Sequence, residues 1–130
     1  MTPQKTILGI KAPHGTCTDK KCPFHGCLSV RGRMFSGTVV GQDVHNTATV
    51  EWTRKRYVPK FERFENRKTR LRVHNPSCIG AKKGDVVIIT ECRPLSKTKK
   101  FVILQKKGED VRYHEKLEAL QEEEARQKGE

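Results

Sequence analysis

The stretch that decides the fold is Gly84–Leu104, with the sequence GDVVIITECRPLSKTKKFVIL. Two short apolar runs rich in β-branched residues, Val86–Thr90 and Phe101–Leu104, flank a polar and basic connector. Runs of this length, bounded by glycine and proline, are typical of strands. The stretch therefore predicts two adjacent strands, buried on both faces, whose connecting loop carries one arginine and three lysines.

Three more strands are predicted upstream of this pair. They are Met34–Gln42, Thr47–Thr53 and Lys68–His74, and the second shows the apolar–polar alternation of a half-buried strand. Asp43–Asn46 is predicted to form the turn between the first two strands. The segment between the second and third strands, Arg54–Asn66, is predicted to be a long basic loop.

Five short strands in a chain of 130 residues predict an all-β fold with a small core. We expect a five-stranded, Greek-key barrel of the oligonucleotide-binding type (OB-fold) with long basic loops, an N-terminal extension and a short C-terminal helix. The strand pattern by itself also allows an SH3-like barrel. The expected organisation is an extension over residues 1–32, a barrel over 33–107 and an acidic helical tail over 108–130.

The tail differs from the rest of the chain in both spacing and charge. Tyr113, Leu117 and Leu120 recur at helical spacing, with Asp110 as a candidate N-cap and Gly129 as the stop. The apolar stripe is thin, so we expect a solvent-exposed helix or a tail that a partner orders. Residues 109–130 carry 4 basic and 8 acidic side chains, a net charge of −4.

The remainder of the chain is strongly basic. Residues 1–108 carry 23 basic and 7 acidic side chains, a net charge of +16, which favours a nucleic-acid partner over a membrane surface. No apolar stretch reaches transmembrane length, and the N-terminus lacks the pattern of a secretory signal. We therefore expect a cytoplasmic protein in which the 5 cysteines bind metal or are simply buried rather than paired in disulfides.

Several motifs resemble the universal small-subunit ribosomal protein seventeen family. The resemblance rests on Glu91–Phe101 above all, with Gly84–Val87, Gly37–Val40, Tyr57–Arg63 and Arg72–Asn75 in the same order. Further upstream, the segments Cys22–Gly26 and Val30–Arg33, together with Gly9, are similar to the archaeal and eukaryotic branch, and the bacterial form lacks them. The resemblance covers roughly residues 5–106 and leaves the acidic tail unexplained.

The resemblance implies an OB-fold barrel and a structural role in the small ribosomal subunit, where the protein binds ribosomal RNA (rRNA) and stabilises its folding and assembly. The expected partners are small-subunit rRNA and neighbouring ribosomal proteins, without a membrane or a small-molecule substrate. We do not expect an enzyme, because no nucleophile, base or carboxylate cluster is apparent. The alternatives are a non-ribosomal OB-fold RNA-binding adaptor and, with less support, a zinc-containing RNA-processing enzyme.

The candidate RNA-binding residues lie on two loops, on the third strand and just before the first strand. They supply charge for phosphates and hydroxyl groups for register. The set comprises Arg31, Arg33, Arg54, Lys55, Arg56, Lys60, Arg63, Arg67, Lys68, Arg70, Arg72, His74, Arg93, Ser96, Lys97, Thr98, Lys99 and Lys100. Phe61 and Phe64 are expected to pack onto the barrel, and the loop around them is expected to become ordered only on binding RNA.

A possible zinc site lies in the N-terminal extension. Cys17, Cys22, His25 and Cys27 offer thiolate and imidazole ligands, and two residues separate Cys22 from His25, as in half of a zinc knuckle. Cys78 is the alternative fourth ligand if the loop after the third strand comes close. The competing interpretation is a group of small buried cysteines without metal.

Overall fold

A computed structural model describes residues 6–129, so the first five residues of the predicted extension and Glu130 lie outside the described residues. The chain forms seven strands and one helix over these residues. The elements are β1 (Thr6–Ile7), β2 (Ile10–Lys11), β3 (Val30–Asp43), β4 (Thr47–Val58), β5 (Arg63–His74), β6 (Asp85–Cys92), β7 (Phe101–Glu109) and α1 (Val111–Lys128).

Strands β3 to β7 close into a barrel in the order β3-β4-β5-β7-β6, with β6 paired back onto β3. The neighbours are antiparallel except for β5 and β7, which run parallel where His74 lies opposite Val102. The pairing of β6 with β7, predicted from Gly84–Leu104, is confirmed by a register that sets Glu91 opposite Phe101. This strand order confirms the predicted five-stranded Greek-key barrel over the SH3-like alternative.

The barrel interior is small and β-branched. Its fully buried side chains include Val39, Val50, Val73, Val87, Ile89 and Ile103, with Phe35, Trp52 and Phe101 packed against them. A second cluster joins the N-terminal extension to the barrel, because Cys22 and Phe24 pack against Leu104 of β7. The extension is thus attached to the barrel by buried apolar surface, which favours a fixed position.

The prediction of a long loop over Arg54–Asn66 is wrong. β4 and β5 are continuously paired from Thr47 opposite His74 to Val58 opposite Arg63, so most of this segment is a β-hairpin that extends beyond the barrel. Both faces of the projecting part of this hairpin are solvated, so the apolar alternation that marks a half-buried strand is absent there. The expectation that the segment becomes ordered only on binding RNA stays a prediction, which strong protease protection of residues 54–67 in the free protein would contradict.

Helix α1 begins at the predicted N-cap and ends at the predicted glycine. Asp110 Oδ1 accepts hydrogen bonds from the backbone N–H groups of Arg112 and Tyr113, at 3.1 and 3.4 Å. None of the residues of α1 is buried, as expected from its thin apolar stripe, and its first turn contacts the barrel through Tyr113, whose hydroxyl donates to Val40 O. Within residues 6–129, no helix has the length and apolar character needed to cross a membrane.

The attachment of α1 to the barrel should depend on Asp110. Thr38 donates a hydrogen bond of 2.8 Å to Asp110 Oδ2, and this bond is the main reason that the pKa of Asp110 lies below its ordinary value. We expect Asp110→Ala to destabilise the helix by about 1 kcal/mol, the usual cost of a lost N-cap. Circular dichroism at 222 nm during thermal unfolding measures the loss.

The same side chain should make the helix sensitive to acid. Because its pKa is lowered on folding, Asp110 stabilises the folded state above the ordinary aspartate pKa of 3.8, and this contribution disappears as the pH falls below that value. Asp110→Asn retains a capping oxygen but does not titrate, so its helix signal should lack this acid-dependent step. Identical acid profiles for the two chains would contradict the assignment.

Candidate nucleic-acid interface and metal centre

The projecting β4–β5 hairpin has an arginine-rich face. Arg54 lies opposite Arg67 and Val58 opposite Arg63, and because alternate residues share a face, Arg56 lies on the same side. We call Arg54, Arg56, Arg63 and Arg67 the arginine face. All four are exposed. Glu65 lies on the same face opposite Arg56 and forms an ion pair with Arg67. Since like charges directly opposite each other destabilise a sheet, the remaining positive charge suits a polyanionic partner better than it suits the free hairpin.

The opposite face of the hairpin carries Tyr57 and Phe64, and Phe61 lies in the turn at its tip. The prediction that Phe61 and Phe64 pack onto the barrel is wrong, because their side chains are 65% and 68% exposed. The physical reason is the length of the hairpin. Its paired strands carry these residues beyond the barrel surface, where both side chains stay largely exposed.

The loop between β6 and β7 is held in shape by its own hydrogen bonds. The Leu95 N–H donates to Lys99 O, and the Lys99 N–H donates to Ser96 Oγ at 3.1 Å. Arg93, Lys97, Thr98 and Lys100 remain exposed on this frame. Ser96 therefore shapes the loop and leaves most of the external contact to the cations around it.

Lys99 points inward, unlike its neighbours. Its ammonium group donates to Thr47 Oγ1 at 3.0 Å, and burial, with the nearby positive charge of Lys21, lowers the pKa of Lys99. Lys99 thus ties the β6–β7 loop to the start of β4 rather than projecting into solvent.

A shallow cleft of about 460 Å³ lies between the start of β3 and the β6–β7 loop. Arg31, Arg93 and Lys100 line it together with Glu91. The two segments are brought together because β3 pairs with β6, setting Val30 opposite Cys92. The barrel closure therefore joins two candidate sites that are some 60 residues apart in sequence into one cationic cleft.

The outer surface of β5 contains a mixture of free and paired charges. Glu51 of β4 accepts a hydrogen bond of 2.5 Å from Arg70 Nε and lies 3.7 Å from Lys68 Nζ. Arg72 is exposed. His74, a candidate RNA-binding residue of the same strand, is instead buried, and its Nε2 donates to Asp19 Oδ2 at 2.5 Å.

The pKa shifts of this last pair agree with a neutral histidine. Burial lowers the pKa of His74 and outweighs the neighbouring carboxylate, which favours protonation. Burial opposes the charge of Asp19, but the Lys21 N–H and His74 outweigh it, so the pKa of Asp19 is lowered. His74 therefore attaches the N-terminal extension to the end of β5 and is not part of the outer surface.

Three of the predicted metal ligands are brought together, and Cys78 takes the place of Cys27 as the fourth. Ligand atoms of Cys17, Cys22, His25 and Cys78 all lie within 4.8 Å of one another, and this group could hold a metal ion. Cys17 Sγ lies 3.3 Å and Cys22 Sγ 3.5 Å from His25 Nδ1, and Cys22 Sγ lies 3.6 Å from Cys78 Sγ. Cys27, predicted as a ligand, is exposed and outside the group.

Local geometry explains both halves of this cluster. In the extension, Gly26 N–H donates to Cys22 O at 2.8 Å, and a side chain at Gly26 would place its Cβ only 2.3 Å from Lys20 O. Asn75 binds the backbone of Ala81 through both its amide oxygen and its amide nitrogen, which closes the loop that carries Cys78. The tight turn after His25 directs Cys27 away, whereas this loop brings Cys78 in.

Two of the three thiols in the cluster, Cys22 and Cys78, resist ionisation. Burial and the neighbouring thiols of Cys22 and Cys17 raise the pKa of Cys78, and burial raises the pKa of Cys22. Burial opposes ionisation of Cys17 as well, but hydrogen bonds from the Asp19 backbone and from neighbouring thiols lower its pKa. A cation placed among the sulfur atoms would lower the pKa values of these thiols, because metal binding favours thiolates.

Comparison with known proteins identifies the family to which the chain belongs. The profile of the family described as Ribosomal protein S17 matches residues 37–105. The chain belongs to this family. It is 52% identical over 99 residues to small ribosomal subunit protein uS17 of Methanococcus vannielii, an alignment that covers 76% of this chain and 91% of the relative. The uS17 protein of Archaeoglobus fulgidus is 50% identical over 103 residues, covering 79% and 92% of the two chains.

The matched segment of the S17 family profile includes the β4–β5 hairpin, the β6–β7 loop and Cys78, but ends before α1. The sequence left the choice between Cys27 and Cys78 open, predicted an RNA contact for Lys99 and allowed either an RNA contact or a packing role for His74. The only available signal for Cys78 was Pro76 and Gly80 on either side of it, which indicate a tight loop. Nothing local distinguishes Lys99 from Lys97, because its partner Thr47 is 52 residues away.

Proposed function

We propose that this protein is a structural constituent of the small ribosomal subunit that binds rRNA and stabilises its folding and assembly. The observation that carries the proposal is the arginine face, four exposed guanidinium groups on one side of a hairpin that projects from an S17-family barrel. Guanidinium groups bind phosphates through paired hydrogen bonds. The family is one of structural ribosomal proteins and not an enzyme class.

The proposed RNA-binding surface has three parts. The first is the hairpin with its arginine face, Lys55 and Lys60. The second is the cleft formed by Arg31, Arg93 and Lys100, with Arg33, Lys97 and Thr98 beside it. The third is the outer surface of β5 with Lys68, Arg70 and Arg72. We assign Ser96 and Lys99 a role in shaping the β6–β7 loop and His74 a role in attaching the extension, since all three are engaged within the protein.

This arrangement supports recognition of RNA shape rather than base sequence. The three parts lie on different elements of one rigid barrel, so they are suited to phosphates of separate RNA segments held at fixed distances. Binding of this kind draws most of its affinity from phosphate neutralisation and weakens steeply with salt. We propose neighbouring ribosomal proteins as the remaining partners and the ribosome, in the cytoplasm, as the location.

Sedimentation tests this function directly. Protein carrying a tag and produced in its native cells should comigrate with small ribosomal subunits in a sucrose gradient and should be released as the salt concentration rises. Protein that stays at the top of the gradient while bound to other RNA would instead support the non-ribosomal adaptor. The partly buried Phe35, Trp52 and Phe101 pack against the core, which leaves few barrel aromatics for single-strand stacking of the adaptor type.

We also propose that Cys17, Cys22, His25 and Cys78 bind one Zn²⁺ ion. A tetrahedral site with Zn–S bonds of about 2.3 Å and a Zn–N bond of about 2.0 Å has S···S edges of about 3.8 Å and S···N edges of about 3.5 Å. Three of the separations in the cluster, at 3.3, 3.5 and 3.6 Å, are close to these edges, and all of the ligand atoms lie within 4.8 Å of one another. Bound zinc would serve as a structural cross-link, and three thiols with one imidazole are a ligand set of structural zinc sites.

The cross-link would join distant parts of the chain. Cys22 and Cys78 are 56 residues apart, one in the extension and one in the loop between β5 and β6. The side chains around them, Phe24, Leu104 and Ile79, already form an apolar cluster between extension and barrel. Zinc would therefore hold in place a contact that hydrophobic packing creates.

A further inference from the structure

Three aromatic side chains are grouped at the far end of the β4–β5 hairpin. Tyr57 is 49% exposed, and Phe61 and Phe64 are still more so. Folded proteins rarely leave several large aromatic side chains together in solvent unless they bind something there. We call Tyr57, Phe61 and Phe64 the aromatic tip.

The aromatic tip is held in place by the hairpin. Tyr57 and Phe64 lie directly opposite each other, and their ring centroids are 5.3 Å apart at an interplanar angle of 57°. The turn is a tight one, in which the Phe61 N–H donates to Val58 O at 3.3 Å and Pro59 occupies the position that favours proline. Two paired strands and a proline turn thus constrain the backbone positions from which the three rings project.

The charge around the aromatic tip identifies its partner. Residues 54–67 carry 6 basic and 2 acidic side chains, and the ammonium group of Lys60 lies 5.5 Å from the centre of the Phe61 ring. A protein groove of ordinary composition would not match this density of positive charge, whereas RNA offers phosphates and flat apolar bases side by side. The partner that matches both features is RNA with unpaired bases.

We propose that the aromatic tip is a nucleobase-stacking site, in which Phe61 stacks on an unpaired rRNA base and the Tyr57–Phe64 pair contacts a second one. The inference deepens the proposed rRNA-binding function and depends on it. The two faces of the hairpin then bind different parts of the RNA, since the arginine face binds phosphates and the aromatic tip binds bases. Base stacking at the aromatic tip gives a structural reason for a hairpin that projects beyond the barrel.

Leucine variants separate stacking from charge. The test compares the wild-type chain with Phe61→Leu/Phe64→Leu and with Phe61→Trp, using small-subunit rRNA transcribed in vitro as the probe. We expect the double leucine variant to lose about five- to a hundredfold in affinity, the range for removing a stacked base, with the same slope of log affinity against log salt. Phe61→Trp keeps an aromatic ring and should bind like the wild type.

The outcomes distinguish this inference from the function on which it rests. Wild-type affinity in the double leucine variant would overturn the stacking site while leaving the rRNA-binding function intact. A wild-type chain that does not bind the rRNA at all would overturn both. A loss in the leucine variant that brings a changed salt slope or a lower thermal midpoint would also overturn the stacking site, because it would mean a displaced hairpin.

Discussion

Cys78→Ser is expected to abolish stoichiometric zinc binding and to lower the thermal midpoint of the protein by roughly 10–25 °C. Zinc present at about 1,000 times its Kd stabilises the folded state by about 4 kcal/mol, and each kcal/mol corresponds to a few degrees for a chain of this size. The residue contributes the ligand that lies outside the extension, 3.6 Å from Cys22 Sγ. Elemental analysis of the purified protein and scanning calorimetry measure the two effects.

Cys27→Ser is the matched control for this experiment. It makes the same chemical change at a cysteine that lies in the extension but is exposed and outside the cluster. We expect it to retain zinc at one ion per chain and to keep its thermal midpoint. A wild-type protein that purifies without zinc, or a zinc content that follows Cys27 rather than Cys78, would show the proposed ligand set to be mistaken.

Replacing the arginine face by glutamine is expected to reduce the salt dependence of rRNA binding more than any other change of equal charge. Each phosphate contact contributes about 0.7–0.9 to the slope of log affinity against log salt, so four lost contacts reduce the slope by about 3. With a slope lower by about 3, the affinity of the variant relative to the wild type is about a thousandfold lower at 0.1 M salt than at 1 M salt. Filter binding to transcribed small-subunit rRNA across a salt series gives both numbers.

A second quadruple variant controls for net charge. Lys82, Lys83, Lys107 and Lys128 are also exposed, and none belongs to the proposed RNA-binding surface. Changing them to glutamine removes the same charge and should leave the slope nearly unchanged. Equal losses in the two variants would mean that overall charge, and not the arginine face, binds the RNA. The arginine variant should fold normally, because the exposed Arg67–Glu65 ion pair that it removes contributes little and the repulsion between Arg54 and Arg67 is relieved.

Much of the barrel could be predicted from sequence, because the signals that define it are local. The two apolar runs around the β6–β7 loop, the alternation in β4 and the turn after Asp43 each reflect burial or backbone geometry within a few residues. The N-cap at Asp110 was equally predictable, since a capping side chain acts on the next two or three N–H groups. These elements appear where the sequence places them.

The hairpin extension was not predictable in the same way. Its strands have no core to face, so the apolar pattern that would reveal them is missing, and the charged sequence resembles a solvated loop. Only the register between β4 and β5 shows that Arg54 and Arg67 share a face and that Phe61 lies at the tip. In sequence these residues look like one charged segment. Strand pairing separates them into two chemically different faces.

The sequence by itself determined the barrel, the terminal helix, the basic character of the surface and the residue types of the cysteine–histidine cluster. The tertiary structure decided which residues meet. It replaced Cys27 by Cys78 in the cluster, turned Lys99 and His74 inward, joined Arg31 to Arg93 in one cleft and exposed the aromatic tip. The physical reason is range, because propensity and periodicity act over a few residues, whereas these contacts are created by barrel closure between segments tens of residues apart.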